Sequence, residues 1–141
     1  MRGRHIFGLA AALALSVGAP AWAETPSATA AYTFDVADIT AKVGAPTTMT
    51  VTAHIRDGYR ILKAYNNRVI SLSSFDDGVA FEQKLIKADV QEGTLVFAII
   101  LTATKPGKHP INGVLRVGYI HGEGEMSMVS QPLIANVTGA E

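Results

Sequence analysis

Apolar and polar side chains alternate along much of the chain, with the period of two that is typical of half-buried β-strands. The clearest case is residues 48–56, where Met49, Val51, Ala53 and Ile55 point to one side. Threonines, His54 and Arg56 occupy the intervening positions, as on the solvated face of an antiparallel strand. Residues 32–39 alternate in the same way, so both segments are predicted to be strands with one buried face.

Residues 94–104 (TLVFAIILTAT) differ, because they are apolar at almost every position. β-Branched and aromatic residues dominate the run, and glycine or proline lies near both ends, which favours a strand over a helix. A continuous apolar strand of this kind is typical of a central strand buried on both faces. Further strands are predicted over 68–72, 79–83, 109–119 and 125–137. Residues 59–65 are ambiguous, with strand slightly favoured.

Turn-forming residues separate these strands at intervals of about ten residues. Asp57-Gly58, Asn66-Asn67, Asp76-Asp77-Gly78 and Pro106-Gly107 are the strongest turn signals. No segment of the mature chain has a convincing helical period. The pattern predicts an all-β antiparallel sandwich over residues 32–139, preceded by a small, polar lead-in at 24–31.

The first 23 residues have the features of a cleaved secretion signal. Arg2 and Arg4 precede an apolar run that is too short to span a bilayer, and Ala21-Trp22-Ala23 has the small-x-small pattern of a cleavage site. We therefore expect an exported protein, and the style of signal favours a bacterial periplasm. The chain contains no cysteine, so packing rather than disulfides must stabilise the domain.

The charge is balanced, with 12 basic and 12 acidic residues in the full chain. Both arginines of the leader are lost on cleavage, which leaves the mature chain slightly acidic. Neither nucleic acid nor an anionic membrane surface is expected as a partner.

Three segments resemble a known family. They are Ile55-Arg-Asp-Gly-Tyr59, the step Pro106-Gly-Lys-His-Pro-Ile-Asn-Gly113, and the stretch from Gly113-Val-Leu-Arg-Val-Gly-Tyr119 to Val137-Thr-Gly139. Their glycine placement resembles the immunoglobulin-like periplasmic N-terminal domain of the thiol:disulfide interchange protein DsbD, and small exported proteins related to it. The resemblance covers about residues 32–139, and it implies an immunoglobulin-like antiparallel β-sandwich.

The resemblance does not extend to the reaction of that family. Family members carry a pair of cysteines in the closing hairpin, whereas residues 120–128 here contain histidine, glutamate and methionine. Thiol–disulfide exchange needs a thiolate, so the redox activity does not carry over. The expected protein is not an enzyme, and it acts as a binding or accessory module for another envelope protein.

A copper site is the alternative function. Met126 and Met128 are two residues apart, and His121 lies across the predicted turn at 122–125. Thioethers with an imidazole suit Cu(I). The competing interpretation is that both methionines fill the core and His121 is solvated. Glu123 and Glu125 are expected to be solvated turn residues rather than calcium ligands or an acid/base pair.

A partner-binding patch is predicted around the turn after residue 56. Arg56, Tyr59, Arg60 and Tyr65 cluster there with further basic residues. Arginine and tyrosine are common interface anchors, although solvated side chains covering a sheet edge would give the same pattern. His54 and His109 are both expected at the surface. No serine–histidine–carboxylate spacing is recognisable.

Overall fold

A computed structural model describes residues 31–141, in which eleven strands and no helix occur. The signal predicted for residues 1–23 and nearly all of the lead-in lie outside these residues. The strands are β1 (Tyr32–Val36), β2 (Ile39–Lys42), β3 (Pro46–Ile55), β4 (Tyr59–Ile61), β5 (Arg68–Ser74), β6 (Val79–Phe81), β7 (Ile86–Lys87), β8 (Asp89–Gln91), β9 (Thr94–Ala103), β10 (Gly107–His121) and β11 (Glu125–Ala140).

The strands form two sheets that face each other. The five-stranded sheet has the order β1-β3-β9-β6, and β8 also pairs with β9. The six-stranded sheet has the order β2-β11-β10-β5-β7, and β4 also pairs with β10. The all-β sandwich predicted from the alternation is therefore confirmed.

The chain changes sheets between its first two strands. β1 pairs antiparallel with β3, whereas β2 runs parallel to the end of β11, with Ile39 beside Val137. The connection is fixed by Asp38, whose carboxylate accepts a 2.9 Å hydrogen bond from the N–H of Asn136. This parallel pair was not expected, because alternation within a strand does not reveal the direction of its neighbour.

Inward-facing side chains of both sheets form one apolar core. Its largest members have almost no exposed surface: Tyr32, Met49, Leu72, Leu95, Phe97, Ile99, Leu101, Ile111, Leu115 and Leu133. A polar link lies within this core, where the hydroxyl of Tyr32 donates to Oε1 of Gln131 at 2.8 Å. Burial, and secondarily the nearby Tyr119, raises the pKa of Tyr32 to about 12, so its hydroxyl remains a donor.

β9 is a central strand, as predicted, but it is buried on one face only. Ile99 is inaccessible to solvent, whereas Ile100 is 38% exposed and Ala98 also faces water. The expectation of burial on both faces was wrong, because no second layer covers the solvent side of this sheet within residues 31–141. Glu82 and Gln83 only border a shallow depression there, beside Ile86.

β10 and β11 form a long hairpin that dominates the six-stranded sheet. They pair without interruption from Gly107 opposite Gly139 to His121 opposite Glu125. Gly122 and Gly124 have φ of 59° and 128°, conformations that glycine adopts without steric cost, and they make the tight turn possible. The predicted turn position is confirmed.

Substituting Ile99 and Ile100 separately tests the one-sided burial of β9. We expect Ile99→Ala to lower the free energy of unfolding by about 2–5 kcal/mol, because it leaves a cavity in the core. Ile100→Ala removes the same atoms from a solvated position and should cost less than about 1 kcal/mol. Urea unfolding of both variants measures the difference. Equal losses would contradict the assignment of the two faces.

Candidate binding face

Even-numbered residues of β10 and β11 point away from the core, because the odd-numbered residues between them are buried. We call this solvent side of the six-stranded sheet the outer face. Three of its apolar side chains are strongly exposed: Met126 at 65%, Met128 at 61% and Ile134 at 64%. All three lie along the outer face of β11, with Ser130 and Pro132 between Met128 and Ile134, and we call them the apolar stripe.

Tyr65 supplies an aromatic ring to the same face. Gly118, opposite Met128 in the ladder, lies directly beneath this ring, and a Cβ at Gly118 would be 2.8 Å from the Tyr65 side chain. Tyr65 belongs to the segment between β4 and β5, and the buried Asn67 holds this segment against β10. The Oδ1 of Asn67 accepts a hydrogen bond from the Gly118 N–H at 2.8 Å, and its Nδ2 donates to the carbonyls of Leu62 and Tyr65. The glycine and the asparagine together hold the tyrosine in place.

Basic side chains lie on the neighbouring strands of the same face. Arg116 of β10 lies opposite Arg68 of β5, and Arg68 lies opposite Lys87 of β7. We call these three residues the cation row. Like charges opposite each other on neighbouring strands repel, so the row costs stability unless an anion lies nearby. Every ion pair within residues 31–141 involves a histidine, so no described carboxylate pairs with the row.

One member of the row already contacts neighbouring groups. Arg68 donates to the carbonyl of Asn66 at 2.6 Å, and its guanidinium lies 5.6 Å from the centre of the Tyr65 ring. The Nε of Arg116 is buried and has no hydrogen-bond partner among the described residues. A buried donor without an acceptor is costly, and the Arg116 Nε is the one side-chain donor of this kind within residues 31–141.

The four residues predicted to form one partner-binding patch are divided between several surfaces. Arg60 lies opposite Ile120, on the outer face, and Tyr65 shares that face. Tyr59 lies on the opposite side of the sheet, and Arg56 is exposed at the turn between β3 and β4. The expectation that they cluster fails because Tyr59 and Arg60, as neighbours on a strand, face opposite ways.

The residues of the copper hypothesis are also divided. The His121 ring stacks on Tyr59 with the ring centres 4.7 Å apart, and its Nδ1 lies 3.8 Å from the Glu125 carboxylate. Met126 and Met128 lie on the outer face. The expectation that the turn brings His121 close to Met126 is corrected by the pairing of His121 with Glu125, which places the ring and the thioethers on opposite faces. The competing interpretation, in which both methionines fill the core, is wrong as well.

Histidine and carboxylate groups do not gather elsewhere into a set that would hold a metal: within residues 31–141 no three of them come together. Copper binding through thioethers stays a prediction, supported only by the pair Met126 and Met128.

His109 is buried, contrary to the prediction that it lies at the surface. Only 6% of the residue is exposed, and its Nδ1 and Nε2 lie 2.7 Å from the Asp76 carboxylate and 2.8 Å from the Lys105 carbonyl. The ring occupies space that only a glycine leaves free, since a Cβ at Gly78 would lie 2.1 Å from Nδ1. His109 therefore joins the β5–β6 turn to β10, which is a structural role.

A second histidine lies in a chain of polar groups on the five-stranded sheet. His54 is exposed, as predicted; its Nε2 lies 3.3 Å from Asp35, and its Nδ1 lies 3.4 Å from the Thr94 hydroxyl. The order hydroxyl–imidazole–carboxylate is that of a nucleophilic triad. Here, however, the His54 and Asp35 side chains are 50% and 74% exposed on an open sheet surface, without the water-excluded setting that strengthens such contacts.

Comparisons with known proteins show no family. No family model matches the chain, and no curated protein matches it. Among solved structures, a Caenorhabditis elegans MSP family member, WR4, matches over 79% of this chain and 100% of its own, at 11% identity and a TM-score of 0.40. The Vibrio cholerae VesB protease matches 77% of this chain and 32% of its own, at 7% identity and a TM-score of 0.41.

A further match is to domains 4 and 5 of the S-layer protein SbsC, over 77% of this chain and 44% of that one, at 14% identity and a TM-score of 0.35. At this level of similarity none of the three says what the chain binds or does. In the part of the chain that the structure describes, no helix is long and apolar enough to cross a membrane.

The contact between His109 and Asp76 predicts a pH dependence of stability. The hydrogen bond to Asp76, and then that to Lys105, raises the pKa of His109 above its ordinary 6.5. The bond to His109, and then that from the Gly78 N–H, lowers the pKa of Asp76 below 3.8. The contribution of His109 to the free energy of unfolding is full below pH 6.5 and is lost as the pH rises through its raised pKa. The aspartate contribution is full above pH 3.8 and is lost as the pH falls through its lowered pKa.

We therefore expect His109→Gln to lose most stability, relative to the unmodified protein, between pH 3.8 and pH 6.5, and progressively less as the pH rises through the raised pKa of His109. Urea unfolding of both proteins across this range measures the loss. In an Asp76→Asn background the same substitution should show a much flatter pH dependence. A loss that does not change with pH in either background would contradict the ion pair.

Proposed function

We propose that this protein is a non-catalytic binding or accessory module, exported to the bacterial periplasm, that docks another envelope protein on its outer face. The scaffold is an immunoglobulin-like sandwich related to the N-terminal domain of DsbD, without thiol chemistry. The observation that carries the proposal is the apolar stripe of Met126, Met128 and Ile134, each more than 60% exposed on one sheet surface.

Several properties of this surface match those of protein interfaces. Exposed apolar side chains favour burial against a partner. Methionine adapts its shape to what it contacts, and tyrosine and arginine are enriched at the energetically dominant positions of interfaces. Of the predicted patch, Tyr65 and Arg60 lie on this face, and they are included in the proposed docking surface. Tyr59 and Arg56 lie elsewhere and are not included.

Charge determines the kind of partner. The outer face carries Arg60 and the cation row, and no described carboxylate pairs with any of them. Complementary potentials speed association and select partners, so the partner is expected to present carboxylates beside apolar side chains. The copper alternative has less support, because His121 is on the other face of the hairpin from both methionines.

Site-specific photocrosslinking in the native envelope tests the docking face. A photoreactive amino acid at Met128 should give a discrete crosslinked product, whereas the same group at Thr50 should give none. Thr50 is the matched control, because it is exposed on the solvent side of the five-stranded sheet in β3. Introducing Met126→Ser and Arg60→Glu into the protein labelled at Met128 should reduce the product.

The proposal fails if Met128 and Thr50 give the same products, or if these substitutions leave the Met128 product unchanged. A product that forms with purified protein alone would show that the face contacts a second copy of this chain instead. Catalysis of any reaction by the purified protein, lost on substitution of His54 or Asp35, would contradict the non-catalytic role.

A further inference from the structure

β11 has a long unpaired edge. Its residues 137–140 pair with β2, but residues 125–136 pair only with β10 among the strands of residues 31–141. Two hydrogen bonds fix the direction of the backbone groups. The Asn136 N–H points to the β2 side, where it donates to Asp38, and the Gly118 N–H points to the opposite side of the hairpin.

Because the register between β10 and β11 is uninterrupted, N–H and C=O groups alternate strictly along β11. Even-numbered residues therefore direct both groups to the unpaired edge, as Asn136 does. Met126, Met128, Ser130 and Ile134 each offer one donor and one acceptor there, and Pro132 offers only its carbonyl. The edge is a row of unused backbone groups directly beside the apolar stripe.

This edge lacks most of the features by which proteins prevent strand addition. Edge strands are usually short, or they carry lysine, inward-pointing charge, a bulge or proline. β11 is 16 residues long, has no bulge against β10, and has no charged residue from Met126 to Ala140. Pro132 is the one blocking residue in the unpaired part, and it removes a single donor.

We propose that this edge receives an extended segment of the partner as an additional β-strand, with a carboxylate of that segment contacting Arg116. The inference rests on the proposed function and specifies how the partner binds. Main-chain hydrogen bonds supply affinity in this mode, and alternate side chains of the added strand supply specificity.

The cation row decides which side chain the added strand places at its centre. Ser130 of β11 lies opposite Arg116, followed outward across the sheet by Arg68 and Lys87. An added strand lies about 4.8 Å beyond β11, and a glutamate opposite Ser130 reaches over this small side chain towards the guanidinium. Its carboxylate accepts from Arg116, whose Nε is otherwise unpaired, and offsets the repulsion within the row.

The flanking positions require apolar side chains. Met126 and Met128 precede Ser130 on the outer face, and Pro132 and Ile134 follow it. The segment that fits has an acidic residue at its centre and apolar residues two and four positions away on both sides, in either strand direction.

A nine-residue peptide tests this pattern directly. The probe is Val-Thr-Val-Thr-Glu-Thr-Val-Thr-Val, blocked at both ends; its order of residues is symmetric, so it fits in either orientation. NMR titration of the full mature chain should show the largest amide shifts at Met126, Met128 and Ser130. Replacing the central glutamate by lysine, or Arg116 by glutamine, should weaken binding about 10-fold, and added salt should weaken the glutamate peptide more than the lysine peptide.

Backbone pairing is tested by Ser130→Pro, with Ser130→Ala as the matched control. Proline removes one N–H of the unpaired edge without touching the bonds to β10, and Pro132 shows that the strand accepts proline at such a position. Binding should fall at least about 10-fold in the proline variant and stay within about 3-fold in the alanine variant. Urea unfolding of both variants checks that the fold is retained.

No shift at these amides at about 1 mM peptide would overturn the inference. Equal affinities of the proline and alanine variants would do so as well, even if the peptide binds. If the Met128 crosslink in the envelope persists, such results would contradict strand addition but not the proposed docking of a partner on the outer face. Loss of that crosslink, with peptide binding intact, would instead remove the proposed function and retain the strand-addition site.

Discussion

The uninterrupted register of the β10–β11 hairpin is the constraint on which the arrangement of this molecule depends. The same offset relates every pair from Gly107 and Gly139 to His121 and Glu125. A shift of one residue would exchange the two faces of a strand completely. If β11 slipped by one residue against β10, Leu133, Ala135 and Val137 would face water, and Met126 and Met128 would turn to the inner side of the sheet. Burial of the odd-numbered residues therefore forces the methionines outward, and it also forces Ser130 and Arg116 side by side.

Buried polar side chains fix the segments that the hairpin itself does not pair. The Asn67 side chain accepts a hydrogen bond from the Gly118 N–H, where a neighbouring strand would otherwise do so. His109 joins the β5–β6 turn to β10, and Gln131 accepts a hydrogen bond from Tyr32 in the core. Each of these groups is hydrogen-bonded, so it specifies one arrangement rather than leaving an unsatisfied group in the interior. The position of Tyr65 over Gly118, and hence the aromatic part of the outer face, depends on the first of these contacts.

Local patterns predicted most strands and the fold class, because alternation and turn residues act over short distances. The one-sided burial of β9 was not predictable from its own residues. Ile99 and Ile100 are chemically identical, and they differ in the face of the sheet to which each points, of which only one is covered within residues 31–141. His109 was misplaced for a related reason. Its partners Asp76 and Gly78 are about 30 residues away, and no turn signal around Lys108 indicates them.

The arrangement of the candidate site was even harder to predict from local sequence patterns. Tyr59 and Arg60, like Glu125 and Met126, are adjacent in sequence and so lie on opposite faces; a cluster in sequence was a poor guide to a cluster in space. Arg68, Lys87 and Arg116 are far apart in the chain and form a row only through strand pairing. Arg116 and the exposed methionines all have even numbers, and even-numbered residues of the hairpin share one face. This pattern, combined with a correct order of strands, would have identified the row.

The unpaired part of β11 carries no charge from Met126 onward, whereas Arg116 lies one strand away and Arg68 two strands away. These two features are best considered together. A lysine at Ser130 would protect the edge from other strands, yet it would also cover Arg116 and add to the repulsion within the cation row. Placing the cations behind a small residue leaves the backbone groups accessible while still discouraging the approach of basic or identical edges. An identical β11 offers no carboxylate between Met126 and Ala135, so self-pairing leaves the row unneutralised. The same residues that favour an acidic strand thus disfavour a second copy of this one.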